Sequence, residues 1–270
     1  MTCVLLERDG AVARLILNRP AQLNAVSPEL LEDLDRACAA VEGDPTVAVV
    51  TLTAAGRAFC AGADLRVVQQ LAPDPARWRE FMARWRQVYD RVERLPVPVI
   101  AGVHGMVLAG GLELTLVCDL VIAEATARLG DQHANFGLVA GGGGSQRLPR
   151  LIGARRAKEL MLLGGWLSAQ EALAWGLVNR VVPAGQVETV VRELARELAG
   201  KSGAASRVVK RLVDRGLDLP LPQALDLEGE EVARHMRGAD AAEGLRAFLE
   251  KRAPRFGEGG TEANGRPSAS

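Results

Sequence analysis

The chain has 270 residues, of which 48% are hydrophobic, and its formal charge at pH 7 is zero. This composition supplies enough apolar surface for a large core, and the absence of a basic stripe with interleaved aromatic residues argues against nucleic acid as a partner. The four cysteines are widely spaced without a C-x-x-C pair, which indicates reduced thiols in a cytoplasmic protein.

The first half of the chain is predicted to alternate strands and helices. The segment "CVLLERDGAVARLILN" predicts two strands joined by a hairpin turn at residues 9–10. Ser27 and Pro28 are typical of a helix N-cap and first turn, and this amphipathic helix is expected to end near Gly43. The apolar run "TVAVVTLTA" predicts a strand buried on both faces, and a second helix is expected over residues 75–94.

The most apolar stretch, residues 97–123, is long enough to raise the question of a membrane span. It contains His104, Glu113 and Asp119, however, and a charge at bilayer depth costs about 2.5–3.5 kcal/mol on insertion scales. We therefore predict no membrane span, but two buried strands in "PVPVIAGVHG" and "CDLVIAEA", separated by a short helix that carries Glu113. The alternation of strands and helices indicates an α/β fold.

No strand is predicted after about residue 182. Residues 1–182 are expected to form a core domain, and residues 183–256 a C-terminal region of three or four helices. The segment 257–270, "GEGGTEANGRPSAS", is small, polar and glycine-rich, and we expect it to be a disordered tail.

Two glycine-containing turns have the same character. "GRAFCAGADL" (residues 56–65) and "HGMVLAGGLEL" (residues 104–114) each follow a buried strand and place small residues before a helix. Small residues let a ligand approach the backbone, and a helix start offers N–H groups that lack a partner. Two such turns facing one point would form an oxyanion hole, whereas the alternative is two ordinary turns packed with small residues. The four glycines at 141–144 form no phosphate loop, because no Lys-Ser/Thr pair follows them.

These turns belong to a longer series of motifs that extends from about residue 4 to 256. In order, the motifs are "LILNRPAQLNAVSPELLEDL", "AFCAGADL", "HGMVLAGGLELTLVCDLVIA", "GLVAGGGGSQRLPRLIG", "LSAQEALAWGLVNRVVP" and "AEGLRAFLEKRAP". The series resembles the successive signatures of the enoyl-CoA hydratase/isomerase (crotonase) superfamily. The resemblance implies an α/β, crotonase-like (ClpP/crotonase) spiral of ββα units followed by a C-terminal helical region. It also implies a homotrimer, often paired into a dimer of trimers, that acts on an acyl-CoA thioester. Coenzyme A is then part of the substrate, with neither another cofactor nor a metal.

The resemblance implies roles for individual residues. Ala63 and Gly110 match the two backbone donors of the family's oxyanion hole, which would hold the thioester carbonyl oxygen as an enolate forms. Glu113 matches the first of two glutamates that flank one water in the family's hydratases, and it follows Gly110 by three residues on the same helix face. The alternative for Glu113 is a structural carboxylate paired with an arginine. His133 occupies the position of the second glutamate, and Asp131 a position often held by glutamine.

Three interpretations of this departure remain open. In the first, His133 replaces the carboxylate as acid/base, since imidazole titrates near neutrality. In the second, Asp131 has taken over and His133 only orients it. In the third, the second position is inactive for hydration, and Glu113 works alone on an isomerisation, a decarboxylation or a different acyl-CoA. A lone histidine in a loop can also be a satisfied polar residue without a catalytic role.

Coenzyme A binding is implied for two groups of residues. The first group, around the "LNA" stretch and the two turns, comprises Leu23, Ala25, Ala61, Ala63, Asp64, Leu65 and Gly110. Phe248 and Lys251 match C-terminal residues that reach coenzyme A, commonly from a neighbouring subunit. Helix packing is the alternative for Phe248, and a solvated charge is the alternative for Lys251.

An enolate intermediate leaves the reaction open, since it can be protonated, expel a β-leaving group or shift a double bond. The expected activity is that of an enoyl-CoA hydratase, a lyase that adds water to a 2-enoyl-CoA or removes it, with Glu113 as the main acid/base. A Δ3–Δ2-enoyl-CoA isomerase, or another crotonase-type lyase or hydrolase, is the alternative. A non-catalytic acyl-CoA-binding homologue is a hypothesis of a different class. The retention of Glu113 beside both turns argues against it, because a mere binder has no need of a buried carboxylate there.

Overall fold

The computed structural model describes residues 2–257 of the chain. Within this range there are nine β-strands: β1 (Val4–Asp9), β2 (Val12–Leu17), β3 (Val49–Ala54), β4 (Val99–Val103), β5 (Met106–Leu108), β6 (Leu120–Glu124), β7 (Arg128–Gly130), β8 (Trp166–Ser168) and β9 (Arg180–Val182). The same range has eleven α-helices: α1 (Pro28–Glu42), α2 (Leu65–Leu71), α3 (Pro75–Glu93), α4 (Gly110–Thr115), α5 (Gly144–Ile152), α6 (Ala154–Leu163), α7 (Ala169–Trp175), α8 (Val187–Ala199), α9 (Gly203–Gly216), α10 (Leu221–His235) and α11 (Ala239–Leu249).

The strands form two sheets. The larger sheet has the order β1-β2-β3-β4-β6-β9, in which β1 and β2 are antiparallel and the other neighbours are parallel. The smaller sheet has the order β5-β7-β8, in which β5 is parallel and β8 antiparallel to β7. The β1–β2 register pairs Asp9 with Val12, and Gly10 in the turn between them has a φ of +59°, so the predicted hairpin is confirmed.

The middle of the chain repeats a strand–strand–helix unit. β4 joins the larger sheet, β5 joins the smaller sheet, and α4 follows. β6 and β7 repeat this division between the sheets, and a 3₁₀ turn (His133–Phe136) and α5 follow. This arrangement agrees with the predicted spiral of ββα units. Because Leu108 at the end of β5 lies opposite Gly130 at the end of β7, the segments that carry Glu113 and His133 begin side by side.

The long elements follow the sequence prediction closely. Ser27 caps α1, since its hydroxyl oxygen accepts the N–H of Leu30 at 3.3 Å, and Gly43 ends the helix as predicted. Helix α3 ends one residue before the predicted limit. Every residue of β4 and the centre of β6 are buried, which confirms these two strands as buried elements. Strands β5, β7, β8 and β9 are not predicted, because a three-residue strand carries no readable periodicity.

The chain divides into two compact units, the first of which ends at Arg196. The first unit contains both sheets. Among the described residues β9 is the last strand, and it ends at Val182, where the strands are predicted to end. The second unit contains α9, α10 and α11, and in it the buried Glu231 carboxylate pairs with Arg211 and Arg234. The predicted disordered tail, apart from Gly257, lies outside the described residues. None of the described helices combines the length and the apolar character that crossing a membrane requires.

Candidate active site

A cavity of about 400 Å³ in the first unit brings together seven of the residues singled out from the sequence. These seven are Ala61, Ala63, Leu65, Gly110, Glu113, Asp131 and His133. The rest of its lining is mostly apolar and comes from α2, α3, the end of β5 and the segment between β7 and α5. The cavity therefore joins the two glycine-containing turns to the segment in which the second acid/base was expected.

The two turns are fixed against each other by backbone pairing. Cys60 and Val107 form an isolated parallel bridge, in which the Cys60 carbonyl oxygen accepts the N–H of Leu108 at 2.9 Å. Gly62, with a φ of +94°, lies at the contact, and a Cβ at this position would be 2.9 Å from the Ala109 Cβ and 3.1 Å from the Leu108 carbonyl oxygen. Only glycine combines this backbone conformation with so close an approach.

The Ala63 and Gly110 amides are free to bind a ligand. Among residues 2–257, neither N–H donates a hydrogen bond to the protein. Ala109, just before Gly110, has a φ of +50° and a ψ of −112°, a strained conformation for a residue with a side chain. The Tyr89 hydroxyl donates to the Gly110 carbonyl oxygen at 2.9 Å. Two such donors beside one cavity can stabilise the negative charge of an enolate oxygen.

The turn at Gly110 leaves no room for a side chain. A Cβ on Gly110 would lie 2.4 Å from Cζ2 of the buried Trp85. We expect Gly110→Ala to lower the free energy of unfolding by about 1–3 kcal/mol, the usual cost of overpacking. Urea unfolding measures this change. Gly229→Ala in α10, where a Cβ would meet no atom within 4 Å, is the control, and it should leave stability unchanged or raise it. Equal stability of the two variants would contradict the tight packing at Gly110.

Glu113 is a buried carboxylate held at the cavity wall by α4 and the start of α5. Glu113 is only 2% exposed, and its Oε1 accepts the N–H of Gly144 at 2.8 Å. Burial raises the pKa of Glu113 above the usual carboxyl range, against the opposing effects of the Gly144 and Gly142 N–H groups and of His133. A carboxyl group with a raised pKa can both take and give a proton near neutral pH.

Asp131 and His133 form a hydrogen-bonded pair at the same cavity. The His133 Nδ1 lies 2.9 Å from Asp131 Oδ1, and the His133 backbone N–H donates to the same oxygen at 3.3 Å. Gln132 between them adopts a left-handed conformation with a φ of +59°, and its side-chain amide donates to the Gly164 carbonyl oxygen. Asn135 donates to that oxygen too, at 2.9 Å, so the turn is anchored from both ends.

The pair sets the protonation of the imidazole. Burial of the ring disfavours its charged form, but the hydrogen bond to Asp131 and the negative charges of Asp131 and Glu113 outweigh this, so the pKa of His133 is raised above its usual value. Because Asp131 occupies Nδ1, Nε2 is the ring nitrogen left for another partner. His133 is thus a group that stays protonated further into the neutral range than an ordinary histidine.

The predicted coenzyme A contacts near the first turn lie beside the cavity wall. The Leu23 carbonyl oxygen accepts the N–H of Ala61 at 3.0 Å, and the Ala25 carbonyl oxygen accepts from Arg19 at 2.5 Å. The Asp64 carboxylate caps α2 and pairs with Arg19 at 3.2 Å. Leu23, Ala25 and Asp64 do not line the cavity themselves.

Phe248 and Lys251 lie in the second unit, at the end of α11 and just after it. Phe248 is 83% exposed, and Lys251, also exposed, has a φ of +53°. Both side chains are therefore accessible to a ligand or to another surface.

Helix α3 contributes cavity residues that the sequence analysis did not identify. Trp78, Met82 and Trp85 line the cavity at the helical spacing that normally indicates core packing. Their spacing was the only available signal, and it does not distinguish a core stripe from a cavity wall.

The sequence is similar throughout to known proteins. The sequence model of a family described as enoyl-CoA hydratase/isomerase matches residues 7–259. The crotonyl-CoA hydratase of Syntrophomonas wolfei is 36% identical over 254 residues, which are 94% of this chain and 97% of that protein. The short-chain-enoyl-CoA hydratase of Clostridium acetobutylicum is 36% identical over 250 residues, which are 92% of this chain and 95% of that protein.

The structure is also similar to solved ones. The crystal structure of an enoyl-CoA hydratase from Bacillus anthracis superimposes with a TM-score of 0.90 at 38% sequence identity, over 94% of this chain and 98% of that chain. The predicted crotonase-like fold is thereby confirmed.

Proposed function

The chain belongs to the enoyl-CoA hydratase/isomerase family, and we propose that it adds water to the double bond of a 2-enoyl-CoA, or removes water from a 3-hydroxyacyl-CoA. One observation carries the proposal. The buried Glu113, the Asp131–His133 pair and the free Ala63 and Gly110 amides all border one cavity. The cavity thus combines two proton-transfer groups with an oxyanion hole, which are the groups that this reaction needs.

The oxyanion hole activates the thioester. In the proposed complex, Ala63 and Gly110 donate to the thioester carbonyl oxygen, which withdraws electron density from the β-carbon. As water attacks, the double bond shifts and that oxygen gains the negative charge of an enolate. The loss of one such donor typically lowers kcat by about 10²- to 10³-fold, so the hole supplies a large part of the rate enhancement.

Two groups move the protons of water. In hydration the Glu113 carboxylate takes a proton from water while the water oxygen bonds to the β-carbon. The His133 imidazolium then gives its Nε2 proton to the α-carbon of the enolate. The product is the syn adduct, Glu113 is left protonated and His133 neutral, and proton exchange with solvent restores the starting state. Dehydration follows the same steps in reverse.

The geometry favours this assignment over the two other interpretations of His133. Asp131 holds Nδ1 of the ring and so orients His133, as an aspartate orients a catalytic histidine in hydrolase triads. In the reverse arrangement His133 would orient Asp131, and the almost fully buried Asp131 carboxylate would have to reach the substrate in place of the more exposed imidazole. The raised pKa of His133, for which burial opposes and Asp131 favours the charged form, suits a group that must donate a proton at neutral pH.

The remaining details of substrate and assembly belong to the same proposal. Coenzyme A binds along the first turn at Leu23, Ala25, Ala61, Asp64 and Leu65, and Phe248 and Lys251 reach it from a neighbouring subunit of a homotrimer, alone or paired with a second trimer. The enzyme is cytoplasmic and uses no cofactor beyond the coenzyme A of its substrate. The exposure of Phe248 together with Leu245 and Leu249, which are neighbours on the surface of α11, supports an intersubunit contact, because a contiguous exposed apolar patch marks an interaction surface.

Crotonyl-CoA tests the reaction directly. We expect the absorbance of its conjugated thioester to fall when the enzyme is added, as 3-hydroxybutyryl-CoA forms. In a crystal structure with butyryl-CoA, which cannot be hydrated, the Ala63 and Gly110 nitrogens should both lie about 2.7–3.1 Å from the thioester oxygen. Amides that point away from this oxygen, or no turnover of any 2-enoyl-CoA, would overturn the proposal.

A second candidate function is the isomerisation of a 3-enoyl-CoA to a 2-enoyl-CoA. The burial of Glu113 favours it, because one carboxyl group with a raised pKa can move a proton between two carbons of the acyl chain without a second acid. A 3-enoyl-CoA that gains conjugated-thioester absorbance, together with inert crotonyl-CoA, would identify this activity in place of hydration.

A further inference from the structure

The cavity contains a buried hydrogen-bond donor that the proposed steps leave unused. Trp85 on α3 is 4% exposed, and its indole Nε1–H lacks any hydrogen-bond partner among the described residues. The Tyr89 hydroxyl, one turn further along α3, lies beside the indole and donates to the Gly110 carbonyl oxygen, but its contact with the indole N–H falls short of hydrogen-bond geometry. A buried donor without an acceptor is unfavourable, and most such groups in folded proteins are paired. The indole therefore calls for an acceptor that enters the cavity.

Two glycines locate the indole relative to the reacting groups. A Cβ on Gly142 would lie 2.8 Å from Trp85 Nε1 and 2.5 Å from Glu113 Oε2, so the indole N–H and the carboxylate pack against the same glycine, close to each other. A Cβ on Gly110 would lie 2.4 Å from Cζ2 of the same ring. The indole thus extends from the oxyanion donor to the Glu113 carboxylate, with its N–H at the carboxylate end.

We infer that the Trp85 N–H donates to the oxygen that joins the β-carbon of the substrate: water in hydration, and the β-hydroxyl group in dehydration. This inference rests on the proposed function and adds a catalytic contact to it. Glu113 accepts a hydrogen from that oxygen, while the indole, which is a donor only, occupies one of its lone pairs. The two contacts together fix the position of the oxygen. The indole keeps its own hydrogen throughout, so the proton balance between Glu113 and His133 is unchanged.

The test compares two ligands that differ at the β-carbon alone. Butyryl-CoA has no β-oxygen, whereas 3-oxobutyryl-CoA has one and cannot be dehydrated during a titration. Trp85→Phe keeps an aromatic ring in place and removes the N–H. We expect this variant to bind 3-oxobutyryl-CoA about five- to tenfold more weakly than the wild type does, the value of one neutral hydrogen bond, with butyryl-CoA affinity changed less than twofold. Calorimetric titration at pH 7 measures both constants.

Trp78→Phe is the matched control, because Trp78 is another indole of α3 that lines the cavity. It should leave the ratio of the two dissociation constants unchanged. An unchanged ratio in Trp85→Phe, with butyryl-CoA still bound, would overturn the inference.

The outcome is separable from that of the proposed function. If the wild type fails to hydrate crotonyl-CoA but Trp85→Phe still alters the ratio, the proposed function fails and the β-oxygen contact remains. If hydration occurs and the ratio is unaltered, the inference about Trp85 fails alone. The retained affinity for butyryl-CoA shows that the variant is folded.

Discussion

Replacing Glu113 with glutamine is expected to lower kcat for hydration by about 10²- to 10⁴-fold, the usual contribution of a general acid/base. The amide has the same shape as the carboxyl group and keeps an oxygen that can accept the Gly144 N–H. It cannot, however, take a proton from water. Affinity for butyryl-CoA should therefore change little. Steady-state kinetics with crotonyl-CoA and a titration with butyryl-CoA measure the two quantities.

The same variant has a stability signature. Burial raises the pKa of Glu113 in the folded state, so the folded protein binds a proton that the unfolded chain releases at lower pH. The contribution of Glu113 to the free energy of unfolding of the wild type is therefore lost as the pH rises above the usual carboxyl range. The glutamine variant has no such pH-dependent loss. We expect the variant to gain stability relative to the wild type on going from acid to neutral pH, as measured by unfolding in urea.

Glu159→Gln on the exposed face of α6 is the matched control, since it removes the same charge away from the cavity. It should leave kcat unchanged. A Glu113→Gln enzyme that works at nearly the wild-type rate would show that Glu113 is a structural carboxylate.

The sequence predicted the elements whose signal is local. The Ser27 cap, the hairpin at residues 9–10 and the buried strands β3, β4 and β6 each carry their pattern within a few adjacent residues. The three-residue strands of the smaller sheet are defined by partners distant in the chain, so no local pattern indicates them. The failure to predict these strands matters for predicting function, because the pairing of β5 with β7 brings the Glu113 and His133 segments together.

In the candidate site, too, some features could be predicted from the local sequence and others depend on the folded structure. The small residues of the two turns pointed to free backbone donors, and the resemblance placed Glu113 and His133. The sequence could not show which of Asp131 and His133 orients the other, because that depends on the left-handed backbone at Gln132. Nor could it show that the Trp85 N–H lacks a partner, since an indole at core spacing normally packs in the interior.

The pH profile should carry the signature of His133. In the proposed mechanism, hydration uses a Glu113 carboxylate with a His133 imidazolium and dehydration uses the opposite, so both directions use the state in which the pair holds one proton. Raising the pH removes that proton, and the rate falls. Despite burial, the hydrogen bond and charge of Asp131 raise the pKa of His133, so this fall should lie above the ordinary histidine value of about 6.5.

His133→Ala should remove this alkaline limb together with most of the rate, about 10²-fold or more. His235→Ala in α10 is the control, since it removes a histidine of the second unit and should leave both the rate and the limb unchanged. A His133→Ala enzyme that keeps its rate on crotonyl-CoA would show that the second position takes no part in hydration. His133→Glu then separates two cases. If the second position cannot take part in hydration at all, this variant gains no activity. If a carboxylate can restore an inactive second position, this variant alone gains new activity.

Asp131→Asn separates the two remaining assignments. If Asp131 serves to hold His133, the neutral amide removes the charge that stabilises the imidazolium, so the pKa of His133 falls and the alkaline limb moves to lower pH. The rate at the new optimum should then drop less than in His133→Ala, because the proton donor is still present. If Asp131 is itself the acid/base, Asp131→Asn should abolish turnover at every pH while His133→Ala retains a measurable rate. The pH–rate curves of the two variants, measured with crotonyl-CoA, therefore assign the second proton to one residue or the other.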